Sequence, residues 1–220
     1  MRKKKTLIKI CGIKKSEDAL LAASAGADIL GFIFYAKSPR YILPSVAEKI
    51  IQNLPKDILK AGVFVNSQPE EIKKITDLCN LDLIQLHGEE TPQYAWKLKK
   101  ILKGKKIIKA FRIKNVKDLK KIDPFFEPMK SIDYVLLDAY AKEARGGTGK
   151  TFDWKIAVEA DKTYSIILSG GLNVGNIESA IKTVNPAIVD VASGVERKDG
   201  SKDPKKMEDF IIKANLALEN

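Results

Sequence analysis

Cys11 and Asp138 are the two residues of this 220-residue chain whose type and setting best suit proton transfer. Cys11 closes the apolar run LIKICG (7–12), and Asp138 follows four apolar or aromatic residues in YVLLDAY (134–140). Burying an unpaired carboxylate is costly. Asp138 therefore reads as an acid or base at the edge of a core, or as a helix cap or salt-bridge partner. A thiol acts as a base through its thiolate, which cationic neighbours or a local dipole favour. Asp190, in AIVDVASG (187–194), resembles Asp138 but reads equally as a carboxylate that holds a loop. The one histidine, His87, ends LIQLHG (83–88), where an imidazole can move a proton near neutral pH or simply hold a hydrogen bond. Without a serine in a nucleophile elbow, a Ser/His/Asp triad has no support. With one histidine there is no cluster of metal ligands.

Two small-residue segments read as phosphate grips. SGGLNVGNI (169–177) and ASGVE (192–196) each follow an apolar run and lead onward to a helical pattern. Small residues in these segments let backbone N–H groups approach an anion, and a helix N-terminus adds a favourable dipole. A third segment, ARGGTGKT (144–151), satisfies a relaxed P-loop pattern with Ala144 replacing the first glycine. A P-loop runs directly from strand to helix, whereas AYAKE intervenes after Asp138. The loop reads instead as a flexible glycine-rich lid over a phosphorylated substrate.

These residues must be positioned by a regular frame. Eight runs rich in Ile, Val and Leu recur: 7–12, 29–35, 59–65, 83–88, 106–113, 134–140, 164–171 and 187–194. Between them lie amphipathic segments, among them PEEIKKITDL, TPQYAWKLKKIL and NVKDLKKI, with Ser16, Thr91 and Asn173 as expected N-caps. Near-continuous apolar strands alternating with helices indicate a parallel α/β sheet. Eight such units, with no linker between them, predict one domain over residues 1–220, a single (β/α)8 barrel. An open doubly wound sheet has the same periodicity. In a barrel, the C-terminal strand ends share one mouth, which gathers Cys11, Arg40, Gln85, His87, Arg112, Asp138, Ser169, Asp190 and Ser193.

Composition narrows the function. Hydrophobic residues make up 45% of the chain, enough for one substantial core. No run approaches the ~20 apolar residues that cross a bilayer. The basic start MRKKKT is followed by a run that Lys9 interrupts, so a secretory h-region is not expected and the chain reads as cytoplasmic. Cys79, near a helix end, reads as a small, inert core residue. The net charge of +11 comes from lysines interspersed with acids along helix faces, which reads as a solvated surface. The rival reading is a basic nucleic-acid-binding protein, which would bind DNA with strong salt dependence.

Taken together, KICGI, GFIFYAKSPRYI, AGVFVN, IQLHG, LLDAY with GGTGKTFDW, LSGGLNVGNI and VDVASGVE resemble the phosphoribosylanthranilate isomerase family of tryptophan biosynthesis, almost end to end. The resemblance implies a cofactor-independent Amadori rearrangement of N-(5-phosphoribosyl)anthranilate to 1-(2-carboxyphenylamino)-1-deoxyribulose 5-phosphate. It implies Cys11 as general base, Asp138 as general acid, and Arg40 as the arginine that recognises the anthranilate carboxylate. His87 and Asp190 are expected to face the substrate with Arg40. The phosphate is expected on the backbone around Gly170, Gly171, Ala192 and Ser193; the family often carries a small residue or serine where Ala192 stands, which implies a backbone contact there. The expected partner is a small phosphorylated molecule, with no cofactor, metal, nucleic acid or membrane; monomer and homodimer both remain open. Among related barrels, indole-glycerol-phosphate synthase would carry catalytic lysine and glutamate at strand ends. A histidine-pathway isomerase would carry aspartates after strands one and five, which Cys11 argues against.

Overall fold

Strands with apolar residues on both faces need a second layer on the outside and a filled interior within. The computed structural model describes residues 6–139 and 154–219 and satisfies both requirements. Eight strands form: β1 (Leu7–Cys11), β2 (Ile29–Ile33), β3 (Leu59–Phe64), β4 (Leu83–Leu86), β5 (Lys106–Ile113), β6 (Tyr134–Ala139), β7 (Ile166–Leu168) and β8 (Ile188–Val191). They pair in chain order into a closed barrel. Closure is made by parallel pairing of β1 with β8, with Lys9 opposite Asp190. This pairing resolves the choice between barrel and open sheet.

Helices α1 (Ser16–Ser24), α2 (Pro44–Gln52), α3 (Pro69–Leu78), α4 (Pro92–Ile101), α5 (Trp154–Asp161), α6 (Ile177–Val184) and α7 (Pro204–Glu219) accompany the strands. Proline at the first position of α2, α3 and α4 starts each helix where its missing N–H costs nothing. Three local expectations need correction. The segment NVKDLKKI forms a 3-10 helix, Val116–Lys121, rather than an α-helix. An Asn115–Asp118 capping box fixes its start, and a second 3-10 turn at Asp123–Phe125, with Pro124 inside it, stops the run from lengthening. Ser16 lies inside α1, whose cap is Lys15 without a side-chain bond. Asn173 accepts a bond from the Gly175 N–H at 2.8 Å, forming a local turn that delays α6 until Ile177. Thr91 caps α4 as expected, accepting from the Tyr94 N–H.

The apolar interior divides into two clusters. One fills the barrel: Ile29, Ala61, Leu83, Ile108, Leu136, Ile167 and Ile188, one from each of β2 to β8. The larger one lies between the sheet and the helices, with Phe32, Phe64, Phe210 and Leu98 among its members. Because strand side chains alternate, the residue two positions beyond each plug residue also faces the barrel interior. Two steps from Leu83, Leu136 and Ile188 lie Gln85, Asp138 and Asp190. Two steps from Leu7, which packs against the plug, lies Lys9, and two more reach Cys11. The polar layer is thus an extension of the apolar plug along the same strand faces. Among the described residues, no helix is long and apolar enough to cross a membrane.

Candidate active site

The floor of the mouth is built on Lys9, which is wholly buried. Its ammonium donates to Gln85 Oε1 at 2.8 Å and to Asp190 Oδ1 at 3.0 Å. Burial pulls the ammonium pKa down, but Asp190 and Cys11 together hold it above the ordinary lysine value. A buried charge is tolerated when it is paired and hydrogen-bonded, and Lys9 meets both conditions. In the sequence Lys9 merely interrupts an apolar run. Inside the barrel it joins β1, β4 and β8.

From Gln85 the network continues upward. Gln85 Nε2 lies 3.0 Å from His87 Nδ1, and His87 Nε2 lies 3.6 Å from Asp138 Oδ2. The last separation exceeds a hydrogen bond, though catalytic contacts often tighten when substrate binds. Asp138 and His87 are each about one-third exposed or less, with side-chain accessibilities of 31% and 27%. They stand where buried floor meets open mouth.

Cys11 lies across this mouth and is 5% exposed. Its β2 neighbour in register is Gly31, and a Cβ at Gly31 would come within 2.8 Å of the Cys11 sulfur. The glycine makes room for the thiol. Burial pushes the thiol pKa up, while Lys9 and Lys202 pull it down and Asp190 opposes them. Burial prevails and the thiol pKa stands above its ordinary value, with Lys9 and Lys202 the two cations that favour the thiolate. Gly12, at φ +82°, turns the chain out of β1; a Cβ there would meet the Arg40 side chain at 2.7 Å. The KICG and SPRY segments therefore meet at one point on the rim.

Arg40 holds Glu196 in a fork: Nε to Oε1 and Nη2 to Oε2, each 2.7 Å. Lys202 donates to Glu196 Oε1 at 3.0 Å and to the Ala192 carbonyl at 2.9 Å. Burial raises the Glu196 carboxyl pKa, but Arg40 and Lys202 outweigh it and keep the group below its ordinary range. Two of the five guanidinium donors are thus committed to Glu196, and the planar group retains another edge for a carboxylate.

The grip segments lie at the ends of β7 and β8. Gly170 and Gly171 have φ of +78° and +77°, consecutive left-handed positions that favour glycine. Ala192 follows β8, and Ser193–Val195 form a short 3-10 turn. Lys202 binds the Ala192 carbonyl, which ties this turn to Glu196 and Arg40.

The structure thus brings Cys11, His87, Asp138 and Asp190 to one inner face, with Arg40 and the grips around it. Asp190 is occupied by Lys9, and Arg112 lies exposed on the rim, in register with Asp138. The expected lid at 144–151 lies outside the described residues. Lys9, Glu196 and Lys202 were missed as site residues. Parity from Cys11 marks Lys9 as inward-facing. Glu196 closes the quoted ASGVE motif, but no local signal pairs it with Arg40, 156 residues away. Cys79, by contrast, is buried outside the mouth with its sulfur 3.4 Å from the Pro44 carbonyl, and burial pushes its thiol up to about 11.

Comparison with known proteins finds similar chains along nearly the whole length. Residues 8–213 match the family model for N-(5′-phosphoribosyl)anthranilate (PRA) isomerase. The N-(5′-phosphoribosyl)anthranilate isomerase of Trichlorobacter lovleyi is 46% identical over 212 residues, covering 96% of this chain and 98% of that protein. The phosphoribosyl anthranilate isomerase of Thermotoga maritima superposes with a TM-score of 0.86 at 40% identity, covering 96% of this chain and 99% of its own. A phosphoribosyl anthranilate isomerase in complex with reduced 1-(o-carboxyphenylamino)-1-deoxyribulose 5-phosphate gives a TM-score of 0.84 at 37% identity, with coverages of 96% and 99%. With the match running from β1 into α7 and the barrel shared with solved members, the chain belongs to the N-(5′-phosphoribosyl)anthranilate isomerase family.

Proposed function

We propose that this chain converts N-(5-phosphoribosyl)anthranilate to 1-(2-carboxyphenylamino)-1-deoxyribulose 5-phosphate, with Asp138 as general acid and Cys11 as general base. The observation that carries these roles is the placement of a carboxyl and a thiol on the inner faces of β6 and β1, three strands apart around a closed barrel. An aldose-to-ketose rearrangement needs a proton delivered to one part of the sugar and another removed from the adjacent carbon.

Asp138 gives its proton to the furanose ring oxygen, and the bond from that oxygen to C1′ breaks. The anilino nitrogen supplies the electron pair and becomes an iminium. This cation acidifies the C2′ proton and favours the thiolate next to Lys9 and Lys202. Cys11, acting as its thiolate, then takes the C2′ proton, leaving an enolamine. Protonation at C1′ by the Cys11 thiol so formed, and loss of the C2′ hydroxyl proton to the Asp138 carboxylate, give the ketone and restore both groups. Atoms and electrons balance within the substrate, and its own nitrogen acts as the electron sink.

Arg40, held by Glu196, is oriented to receive the anthranilate carboxylate on its remaining edge. The backbone around Gly170, Gly171, Ala192 and Ser193 holds the phosphate, as loops after strands seven and eight commonly do in such barrels. His87 and Asp190 support the substrate pocket from β4 and β8, Asp190 through Lys9. The test is loss of substrate fluorescence after adding the purified protein to freshly generated phosphoribosylanthranilate. Enzymatic loss that saturates with substrate supports the assignment, and decay at the uncatalysed rate overturns it.

A further inference from the structure

Gln85 connects a buried ammonium to the one histidine of the chain, and this connection has a chemical consequence. An ammonium only donates, so the Gln85 atom facing Lys9 is the carbonyl oxygen. The opposite orientation would press an NH2 group against a positive charge. The amide nitrogen therefore faces His87 and donates to Nδ1. An Nδ1 that accepts carries no proton, which leaves the ring proton on Nε2, the nitrogen 3.6 Å from Asp138. The order of polarity runs from Asp190 through Lys9, Gln85 and His87 to Asp138, with every direction set by the buried ion pair.

We propose that Lys9 and Gln85 act as positioning residues that lock His87 in its Nε2–H tautomer, so that it supports Asp138 as an acid. The inference rests on Asp138 having that role. When Asp138 releases its proton to the ring oxygen, negative charge develops on its carboxylate. An Nε2–H donor already placed beside it meets that charge without reorganisation. The other tautomer would present a lone pair. A lone pair on an imidazole nitrogen accepts protons, so it would compete for the proton the sugar needs. Which nitrogen carries the hydrogen therefore decides whether His87 assists the acid or disarms it.

The single histidine makes the idea directly measurable in the full chain, produced without a polyhistidine tag. Long-range 1H–15N correlation spectra at about pH 8, where an ordinary imidazole is neutral, distinguish the two ring nitrogens. The expected wild-type spectrum shows Nε2 protonated and Nδ1 bare; Nδ1 protonated, or an even mixture, overturns the relay. Gln85→Glu replaces the amide donor by an acceptor and should move the proton to Nδ1, with kcat falling roughly 10–100-fold, the scale of one lost charged hydrogen bond. A proton that stays on Nε2, or one that moves with turnover unchanged, also overturns it. If Gln85→Glu does not fold, Gln85→Met, which neither donates nor accepts strongly, should give mixed tautomers and a smaller loss; a pure Nε2–H ring in that variant contradicts the proposal. Nε2–H in a wild-type protein inert towards phosphoribosylanthranilate overturns the isomerase assignment, whereas Nδ1–H in an active enzyme overturns only the relay.

Discussion

Lys9 and Lys109 look alike in the sequence, each interrupting an apolar strand, yet they serve opposite faces of the barrel. Lys9 in β1 faces inward and pairs with Asp190 and Gln85 beside Cys11. Lys109 in β5 lies on the face opposite the plug residue Ile108. It donates to the Gly88 carbonyl at 2.7 Å and pairs with Glu90 at 3.2 Å. Glu90 in turn accepts from the N–H groups of Asn66 and Gly88, so this cluster fastens the turn after β4 to the end of β3. Both lysines are buried and paired. One charge sits beside the thiol proposed as the base, and the other sits among backbone groups that need partners. The difference teaches that a buried lysine takes its role from strand parity.

The largest expected effect falls on the inner face. Asp138→Asn preserves shape but removes the acid, and kcat should drop by about 100- to 10,000-fold with thermal unfolding little changed. Rapid turnover by this variant would break the assignment of chemistry to that face. Next come the two lysines. Lys9→Met and Lys109→Met should each lower stability by roughly 3–5 kcal/mol, because each strands a buried carboxylate. Only Lys9→Met should also slow turnover per folded molecule, measured by pairing denaturant titration with kinetics on the folded fraction. Adding Asp190→Leu to Lys9→Met should restore much of the stability, since an apolar pair can replace a buried ion pair, but should not restore turnover. Equal kinetic losses in the two single variants would erase the contrast.

The plug below the mouth supplies a further control. Ile108→Ala should cost roughly 2–5 kcal/mol through lost burial and a residual cavity, with kcat nearly unchanged. The smallest effect belongs to the rim. Because Arg40 and Lys202 keep Glu196 below its ordinary range, its contribution is complete above the unfolded pKa and disappears as pH falls through the folded one. Unfolding free energies from about pH 5 to about pH 3 should therefore fall more steeply in wild type than in Glu196→Gln. Parallel curves would show that this carboxylate adds nothing to acid sensitivity.

Much of the frame was legible because parallel strands covered on both sides must be apolar nearly throughout. The eight runs match the eight strands to within a few residues at each end, and the 106–113 run coincides with β5. Cys11, Asp138 and the two grip segments were legible as polar or small residues ending apolar runs. The pairings were not. Arg40 meets Glu196, and Lys9 meets Asp190, only because the barrel closes, and no local pattern encodes contacts between such distant segments. NVKDLKKI misled for a different reason: its apolar spacing suits an α-helix, but its cap and the proline after it hold it to short 3-10 turns. Lys9 was readable in principle, two residues from Cys11 on the same face.

The two buried cysteines allow the most direct test of the central claim, that Cys11, as its thiolate, removes the C2′ proton. Cys11→Ala and Cys79→Ala each delete one buried sulfur, and kcat for phosphoribosylanthranilate can be measured beside the unfolding midpoint of each. The account predicts at least about a 100-fold loss of kcat in Cys11→Ala, with the fold retained, and near-wild-type turnover in Cys79→Ala. Near-wild-type turnover in Cys11→Ala would contradict it.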